Sequence, residues 1–192
     1  IYNRDTDARN NLWRAVAYAC HPDAWGVQIV FDNKVILGTR ARKTRTKSFN
    51  AFSSIDYPET AMFRDRRLIQ FLQRPADYTH AVFSTALDPN VFVLRLVPGM
   101  RADIIPLLEG RYRALVLESF GVGGLPGGDD GAMFAAVRDW CGAGHLAVFT
   151  TQVPHEGSDL AVYEVGRAAK ALPGVLEAHD MTPEATAVKL MW

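Results

Sequence analysis

The sequence predicts an α/β protein built from a partial amino-terminal α/β domain followed by a small, doubly wound parallel-sheet domain. In the first part, a helical pattern precedes pairs of short apolar runs joined by tight turn signals, as in antiparallel hairpins. In the second part, short apolar runs alternate with helical stretches of about a dozen residues, which is typical of βαβ units. We place the amino-terminal part at residues 1–72, a linker at 73–89 and the carboxy-terminal domain at 90–192.

The composition is that of a globular protein without an excess of either charge. The chain has 192 residues, of which 48% are hydrophobic, and its 21 basic residues are balanced by 21 acidic ones. This balance argues against a nucleic-acid partner bound through overall charge. No stretch approaches the ~20 apolar residues of a membrane helix, and no signal-peptide pattern opens the chain. We therefore expect a cytoplasmic protein in which Cys20 and Cys141 are buried thiols.

The first part begins with an amphipathic helix that Asp7 is expected to cap and that runs to about Cys20. Its apolar side chains recur at helical spacing and predict one buried face, made of Ala8, Leu12, Ala15, Val16 and Ala19. The strands of two hairpins follow over residues 25–31, 34–38 and 61–72, the last range turning at 64–66.

A long polar segment, residues 39–57, separates these hairpins and is predicted to be a loop. Loops of that length inside a compact domain are usually functional or disordered. Five basic side chains fall between Arg40 and Lys47, with Lys43 among them. Because neighbouring cations disfavour the protonated form of a lysine, Lys43 is a candidate base. The alternative is an ordinary solvated loop lysine.

The second part predicts a parallel sheet whose ligands would bind beyond the carboxyl ends of its strands. The glycine-rich loop 121–128 lies at such an end, but Pro126 stands where a dinucleotide fingerprint needs glycine, so we expect no phosphate site. Asp129 and Asp130 are expected to cap the next helix, and Thr182 the last one. The predicted strands cover 91–97, 113–120, 145–151 and 175–177, and the predicted helices 102–109, 130–141, 157–172 and the segment after Thr182.

A polar cluster surrounds the predicted start of the third of these helices. Carboxylates suit the first turn of a helix, so the cluster is either a capped and solvated helix start or a set of ligand contacts. Neither the histidines nor the two cysteines show the spacing of metal ligands, and no metal is expected. The cluster consists of His155, Glu156, Asp159, Tyr163 and Glu164.

Several segments, in order along the chain, resemble the type I (cytoplasmic-type) L-asparaginase family. Together they span essentially the whole sequence, which makes the match far more specific than any single motif. They are residues 7–12, 38–47, 50–54 and 57–58 in the first part, and 117–123, 156–160, 163–167 and 180–185 in the second.

The resemblance implies hydrolysis of L-asparagine to L-aspartate and ammonia, with minor activity on glutamine and without a metal or organic cofactor. The family uses a nucleophilic threonine and a Thr-Lys-Asp set, and Lys43 matches the lysine. Its members form homodimers or homotetramers in the cytoplasm, and a neighbouring subunit completes each site. The substrate contacts borrowed in this way are assigned to Asp159, Tyr163 or Glu164, with no nucleic acid or membrane involved.

The sequence also departs from the family. Neither the Thr-Gly-Gly-Thr turn nor the Gly-Thr-Asp-Thr turn that carries the family's threonines occurs in it. We therefore expect a fragment that does not hydrolyse asparagine alone. Two alternatives remain: the glutamine-hydrolysing subunit of a tRNA amidotransferase, and an amino-acid-binding module that has lost the chemistry.

Overall fold

The computed structural model describes residues 6–76, 82–126 and 131–192. The chain divides into two compact units, Ile1–Val82 and Phe83–Trp192. The first contains antiparallel strands and the second a parallel four-stranded sheet, each accompanied by helices. The predicted fold class is thus confirmed.

The described part of the first unit combines a helix with short strands. The elements are α1 (Ala8–Ala19), β1 (Gln28–Phe31), β2 (Lys34–Leu37), β3 (Ala41–Lys43), β4 (Phe52–Ser54), β5 (Ala61–Arg64) and β6 (Arg67–Gln70). Four of the strands form an antiparallel sheet in the order β1-β2-β5-β6, and β3 pairs with β4 in a separate ribbon.

Two-residue turns close both predicted hairpins. Asp32 and Asn33 join β1 to β2 with φ of 47° and 68°, and Asp65 and Arg66 join β5 to β6 with φ of 47° and 66°. A left-handed conformation at both central residues matches the twist of the flanking strands. The hairpin prediction is therefore confirmed.

The predicted buried face of α1 is wrong. Leu12 and Val16 are 63% and 56% exposed, whereas Asn11 and Tyr18 are buried. Asn11 fixes this orientation, because its Oδ1 accepts from the Asp32 N–H at 3.1 Å. Asp7 occupies the capping position, but its carboxylate accepts from the Asn11 amide at 2.9 Å instead of from a backbone N–H. A polar anchor has overridden the apolar pattern.

Two further predictions in the first unit need correction. The polar segment 39–57 is not a plain loop, because it contains β3 and β4, paired from Ala41 opposite Ser54 to Lys43 opposite Phe52. Cys20 follows the end of α1 and is exposed, whereas Cys141 is buried as expected. Cys20 is the C-cap residue of α1, a position at the end of the helix.

The second unit contains a parallel sheet and the helices that cover it. Its elements are β7 (Val91–Arg95), β8 (Ala114–Ser119), α2 (Ala132–Gly142), β9 (Leu146–Thr151), α3 (Glu164–Lys170), β10 (Val175–Glu177) and α4 (Pro183–Met191). The strand order is β10-β9-β8-β7. All six residues of β8 are buried, as expected for the centre of a parallel sheet covered on both faces.

Two of the helices of this unit are shorter than the sequence predicted. The expected helix over 102–109 consists of two 3₁₀ turns, Ala102–Ile104 and Pro106–Leu108, because proline lacks the N–H that would continue one helix through it. The helix expected over 157–172 covers only Glu164–Lys170. The caps expected at Asp129 and Asp130 lie outside the described residues, and Gly131 precedes α2.

One predicted helix start is confirmed and one core contact anchors the sheet. The Thr182 hydroxyl accepts from the Ala185 N–H at 3.2 Å and caps α4. Trp140 is fully buried on α2 and donates from Nε1 to the Leu146 carbonyl at 2.9 Å, which ties the helix to β9.

Within the described residues, no helix is long and apolar enough to cross a membrane.

Candidate functional site

Lys43 lies at the end of β3 in the first unit, where its side chain is exposed. It stands opposite Phe52, and its Nζ lies 6.0 Å from the centroid of that ring. Successive side chains of a strand point to opposite faces, so Arg42 projects away from the face that carries Lys43. Arg40 directs its guanidinium onto the Tyr57 ring at 5.3 Å. The role of Lys43 as a base stays a prediction.

Hydroxyl groups lie on both faces of the ribbon, Ser53 on the face of Arg42 and Ser54 on the face of Lys43. The Thr44 and Ser53 hydroxyl oxygens lie 2.8 Å apart in a hydrogen bond, and the Ser54 hydroxyl is buried on the strand opposite Lys43. Phe52 packs edge-on against Phe31 with ring centroids 5.2 Å apart, which attaches the ribbon to the hairpin. The ribbon thus holds a solvent-accessible amine, the kind of group that transfers protons once it is placed beside a substrate.

The second candidate region is the segment 157–163, here called the Asp159 loop. It is hydrogen-bonded to residues that follow the carboxyl ends of β8 and β10, the edge at which parallel sheets bind ligands. The Asp159 N–H donates to the Val122 carbonyl at 2.7 Å, and the Ser158 N–H donates to the His179 carbonyl at 2.9 Å. The loop is therefore attached to its neighbours on both sides.

Asp159 is an exposed side chain between two buried neighbours. Ser158 is 4% exposed and Leu160 is 1% exposed, so the backbone on both sides of Asp159 is buried while the Asp159 carboxylate lies at the surface. One oxygen of Asp159 accepts from the Ala161 N–H at 2.9 Å. A carboxylate held at the surface in this way can bind a cationic group.

Tyr163 and Glu164 complete this region. Tyr163 is 60% exposed and has extended backbone angles, which makes it the residue before the first turn of α3. Glu164 is the first residue of α3, where a carboxylate is favoured by the helix dipole. The structure brings Asp159, Tyr163 and Glu164 into one continuous segment of the second unit, and Lys43 belongs to the first unit.

Glycines let other segments approach the Asp159 loop closely. A Cβ added at Gly123 would lie 2.6 Å from a Leu160 side-chain carbon, and one at Gly166 would lie 2.5 Å from the Leu160 carbonyl oxygen. Both distances are shorter than van der Waals contact allows. Gly123 and Gly166 therefore allow Leu160 to pack in the core.

Gln152 was not singled out in the sequence, yet it joins the ends of three strands. Its Nε2 donates to the Leu96 carbonyl at 2.6 Å and to the Glu118 carbonyl at 2.8 Å. Ser119 adds a second link, since its hydroxyl donates to the Thr150 carbonyl at 2.6 Å. The only sequence signal for this role is a glutamine directly after a buried strand.

The described residues contain no group of three or more His, Cys, Asp or Glu side chains arranged to hold a metal ion. The chemistry available at the candidate regions is that of an amine, hydroxyls and carboxylates.

Comparison with known proteins identifies the family. Residues 90–192 match the glutaminase/asparaginase C-terminal domain, and residues 1–76 match the asparaginase N-terminal domain. The chain belongs to the glutaminase/asparaginase family. The resemblance seen in the sequence is thereby confirmed.

Individual members of this family match at moderate identity. The L-asparaginase of Thermococcus kodakarensis is 37% identical over 193 residues, which cover 100% of this chain and 57% of that protein. The solved structure of the thermostable L-asparaginase from Thermococcus kodakarensis aligns with a TM-score of 0.90 at 34% identity, over 100% of this chain and 57% of that chain. A glutamyl-tRNA(Gln) amidotransferase subunit of Metallosphaera sedula is 32% identical, over 81% of this chain and 35% of that protein. The chain thus spans just over half the length of the asparaginase relative.

Proposed function

We propose that the protein carrying this chain hydrolyses the side-chain amide of L-asparagine to give L-aspartate and ammonia, with minor activity on glutamine. The observation that carries this proposal is the 37% identity to an L-asparaginase across 100% of the chain. The proposal includes no metal and no organic cofactor.

In this proposal Lys43 transfers the proton of the reaction. Amide hydrolysis breaks the carbon–nitrogen bond and adds water across it, so a hydroxyl nucleophile must lose a proton and the leaving nitrogen must gain one. A neutral amine beside the nucleophile accepts the first proton and becomes the donor of the second. Its exposed place at the end of β3 leaves Lys43 accessible to such a partner.

Asp159 is proposed to bind the α-ammonium group of the substrate. Its exposed carboxylate on an anchored loop supports this role, because a fixed carboxylate and an ammonium form a charge-assisted hydrogen bond. Tyr163 and Glu164 border the same contact. We further propose that this segment serves a neighbouring subunit of a homodimer or homotetramer, in a cytoplasmic enzyme.

The limits of the domains along the chain are also proposed. They place the remainder of the amino-terminal asparaginase domain at residues 1–72, a linker at 73–89 and the carboxy-terminal asparaginase domain at 90–192. The division of the chain into two compact units between Val82 and Phe83 supports this proposal.

A second candidate function is the glutamine-hydrolysing subunit of a tRNA amidotransferase. The 32% identity to a glutamyl-tRNA(Gln) amidotransferase subunit over 81% of this chain favours it. Such a protein would prefer glutamine and require a second protein with charged tRNA. An asparaginase would turn over free asparagine alone.

The deciding experiment measures ammonia release from asparagine and from glutamine by the whole protein. Lys43→Met is expected to lower kcat on asparagine at least a hundredfold, in line with the ~10²–10⁴-fold contribution of a positioned proton-transfer group. Lys47→Met, on the same basic segment, is the matched control and is expected to retain wild-type activity.

Three results would contradict the proposal. Activity confined to glutamine in the presence of tRNA would favour the amidotransferase subunit. Binding of asparagine and aspartate in calorimetry without ammonia release would indicate a module without catalysis. Full activity of the Lys43→Met variant would remove Lys43 from the mechanism.

A further inference from the structure

A buried carboxylate, which neither the sequence nor the family resemblance singled out, lies beneath the Asp159 loop. Glu177 is the last residue of β10, and its side chain is only 5% exposed. Its Oε1 accepts from the Leu160 backbone N–H at 2.5 Å. Its Oε2 accepts from the Lys170 ammonium at 2.9 Å.

The contact with Leu160 completes a continuous set of backbone hydrogen bonds along the loop. The N–H groups of residues 158 and 159 donate to the carbonyls of His179 and Val122, and that of Ala161 donates to the Asp159 carboxylate. The N–H of Leu160 alone among these four consecutive groups is held by a charged side chain from another element. Because Leu160 is 1% exposed, water is not a ready substitute for that acceptor.

The Lys170 ammonium and the His179 imidazole lie beside the Glu177 carboxylate, and the ammonium makes its burial tolerable. Lys170 comes from the last turn of α3, and the hydrogen bond with Glu177, together with its charge, raises the pKa of the Lys170 ammonium. His179 Nδ1 lies 3.8 Å from Oε2. A buried carboxylate with a backbone N–H on one oxygen and an ammonium on the other has a fixed position, unlike an exposed surface ion pair.

We propose that Glu177 is a positioning residue for the candidate substrate contact Asp159. By accepting the Leu160 N–H, its carboxylate fixes the backbone immediately after Asp159, and Lys170 holds the carboxylate in place. The consequence for binding rests on the proposed function of Asp159. The effect on the loop itself follows from the hydrogen bonds alone.

The test compares two substitutions in the whole protein. Glu177→Ala removes the acceptor, and Glu177→Gln keeps an oxygen that can accept from Leu160. Hydrogen exchange over residues 157–163 is expected to be about tenfold faster in the Ala variant, as for the loss of a hydrogen bond to a charged group, and within about threefold of wild type in the Gln variant. Glu109→Ala, an exposed glutamate of the same unit, is the matched control. Should the Ala variant fail to fold, Glu177→Met keeps the side-chain volume without a comparable acceptor.

Steady-state kinetics distinguish a positioning role of Glu177 from a purely structural one, because a purely structural role would not change KM for asparagine selectively. The Ala variant is expected to raise KM for asparagine about tenfold with kcat changed by less than about threefold, and the Gln variant is expected to restore KM. Unchanged exchange in the Ala variant would overturn the positioning role. So would equal losses in the Ala and Gln variants.

The two levels of the proposal fail separately. Faster exchange with an unchanged KM would overturn the link from Glu177 to substrate binding, and with it the role of Asp159. Absence of asparagine hydrolysis in the wild-type protein would overturn the proposed function, and the exchange measurement would still decide whether Glu177 fixes the loop.

Discussion

Gly157 and His179 approach each other so closely that a Cβ on Gly157 would lie 2.5 Å from the His179 carbonyl oxygen. Gly157 also has φ of +70°, a conformation that side chains with a Cβ rarely adopt. The Asp159 loop begins at this contact. The position therefore has two independent reasons to be glycine.

Gly157→Ala is expected to reduce the free energy of unfolding by about 3 kcal/mol, from backbone strain and from overpacking together. Gly144→Ala separates the two terms, because Gly144 has φ of +90° but nothing within 4 Å of an added Cβ. That control should lose only about 1 kcal/mol. Urea denaturation measures both, and equal losses would show that the approach to His179 has no energetic effect.

Gln152 predicts an asymmetric response to two substitutions. Gln152→Ala loses two hydrogen bonds and should cost about 2 kcal/mol of unfolding free energy. Gln152→Glu should cost more at neutral pH, about 3 kcal/mol, because a carboxylate cannot donate and would face two carbonyl oxygens. Below a pH of about 4, the glutamic acid is protonated and regains a donor, so the difference in unfolding free energy between the Glu and Ala variants should narrow. If the two variants lost the same unfolding free energy at both pH values, the hydrogen bonds of Gln152 would be contradicted.

Cys141 predicts a loss of stability in mild alkali. Burial raises the pKa of its thiol, an effect that the backbone hydrogen bond with Ala147 opposes. With the folded-state pKa above the unfolded one, the contribution of the thiol is fully present below the unfolded pKa of about 8.5 and is lost as pH rises through the folded value.

The matched pair of cysteines provides the control for this effect. Between pH 8 and pH 9.5, chosen as roughly the range around the ordinary thiol pKa, Cys141→Ala should lose less stability than wild type. Cys20→Ala removes an exposed thiol and should follow the wild-type pH dependence. Thermal melting across this range measures all three proteins, and parallel curves would contradict the prediction.

Arg66 predicts a stabilising substitution. It is exposed in the turn between β5 and β6 with φ of 66°, where a Cβ costs about 1 kcal/mol relative to glycine. Arg66→Gly should therefore raise the free energy of unfolding by up to about 1 kcal/mol. Arg67→Gly, one residue further within β6, should lower it. A loss in the Arg66 variant, measured by urea denaturation, would show that the side chain makes a compensating contact.

The sequence predicts best where a local rule and the tertiary structure agree. The apolar run that becomes β8 and the Asp32-Asn33 turn are examples, since burial and turn geometry are both encoded locally. The ribbon of β3 and β4 escaped prediction because each strand has only three residues, with a single apolar one, which is too short for an apolar alternation. The orientation of α1 was not predicted because it depends on a hydrogen bond between Asn11 and a turn 21 residues away.

In the candidate site, too, some features are encoded locally in the sequence and others depend on contacts between distant residues. Lys43 and Asp159 are accessible to motif comparison, because each lies in a segment with family-like sequence. The shape of the Asp159 loop depends on Val122, His179 and Glu177, which are distant in sequence. No periodicity in residues 157–172 distinguishes a loop held by such contacts from the start of a helix, and this explains why the helix was predicted too long.

The short strand β10 has a consequence for how molecules of this protein avoid one another. It is the last strand on its side of the parallel sheet, where unpaired backbone groups would invite a strand from another molecule. It contains only three residues, and its final side chain is an ion-paired carboxylate turned inward. A strand from another molecule would have little backbone to pair with along β10, and its pairing would disturb that ion pair. The residue that anchors the loop thereby also discourages edge-to-edge aggregation.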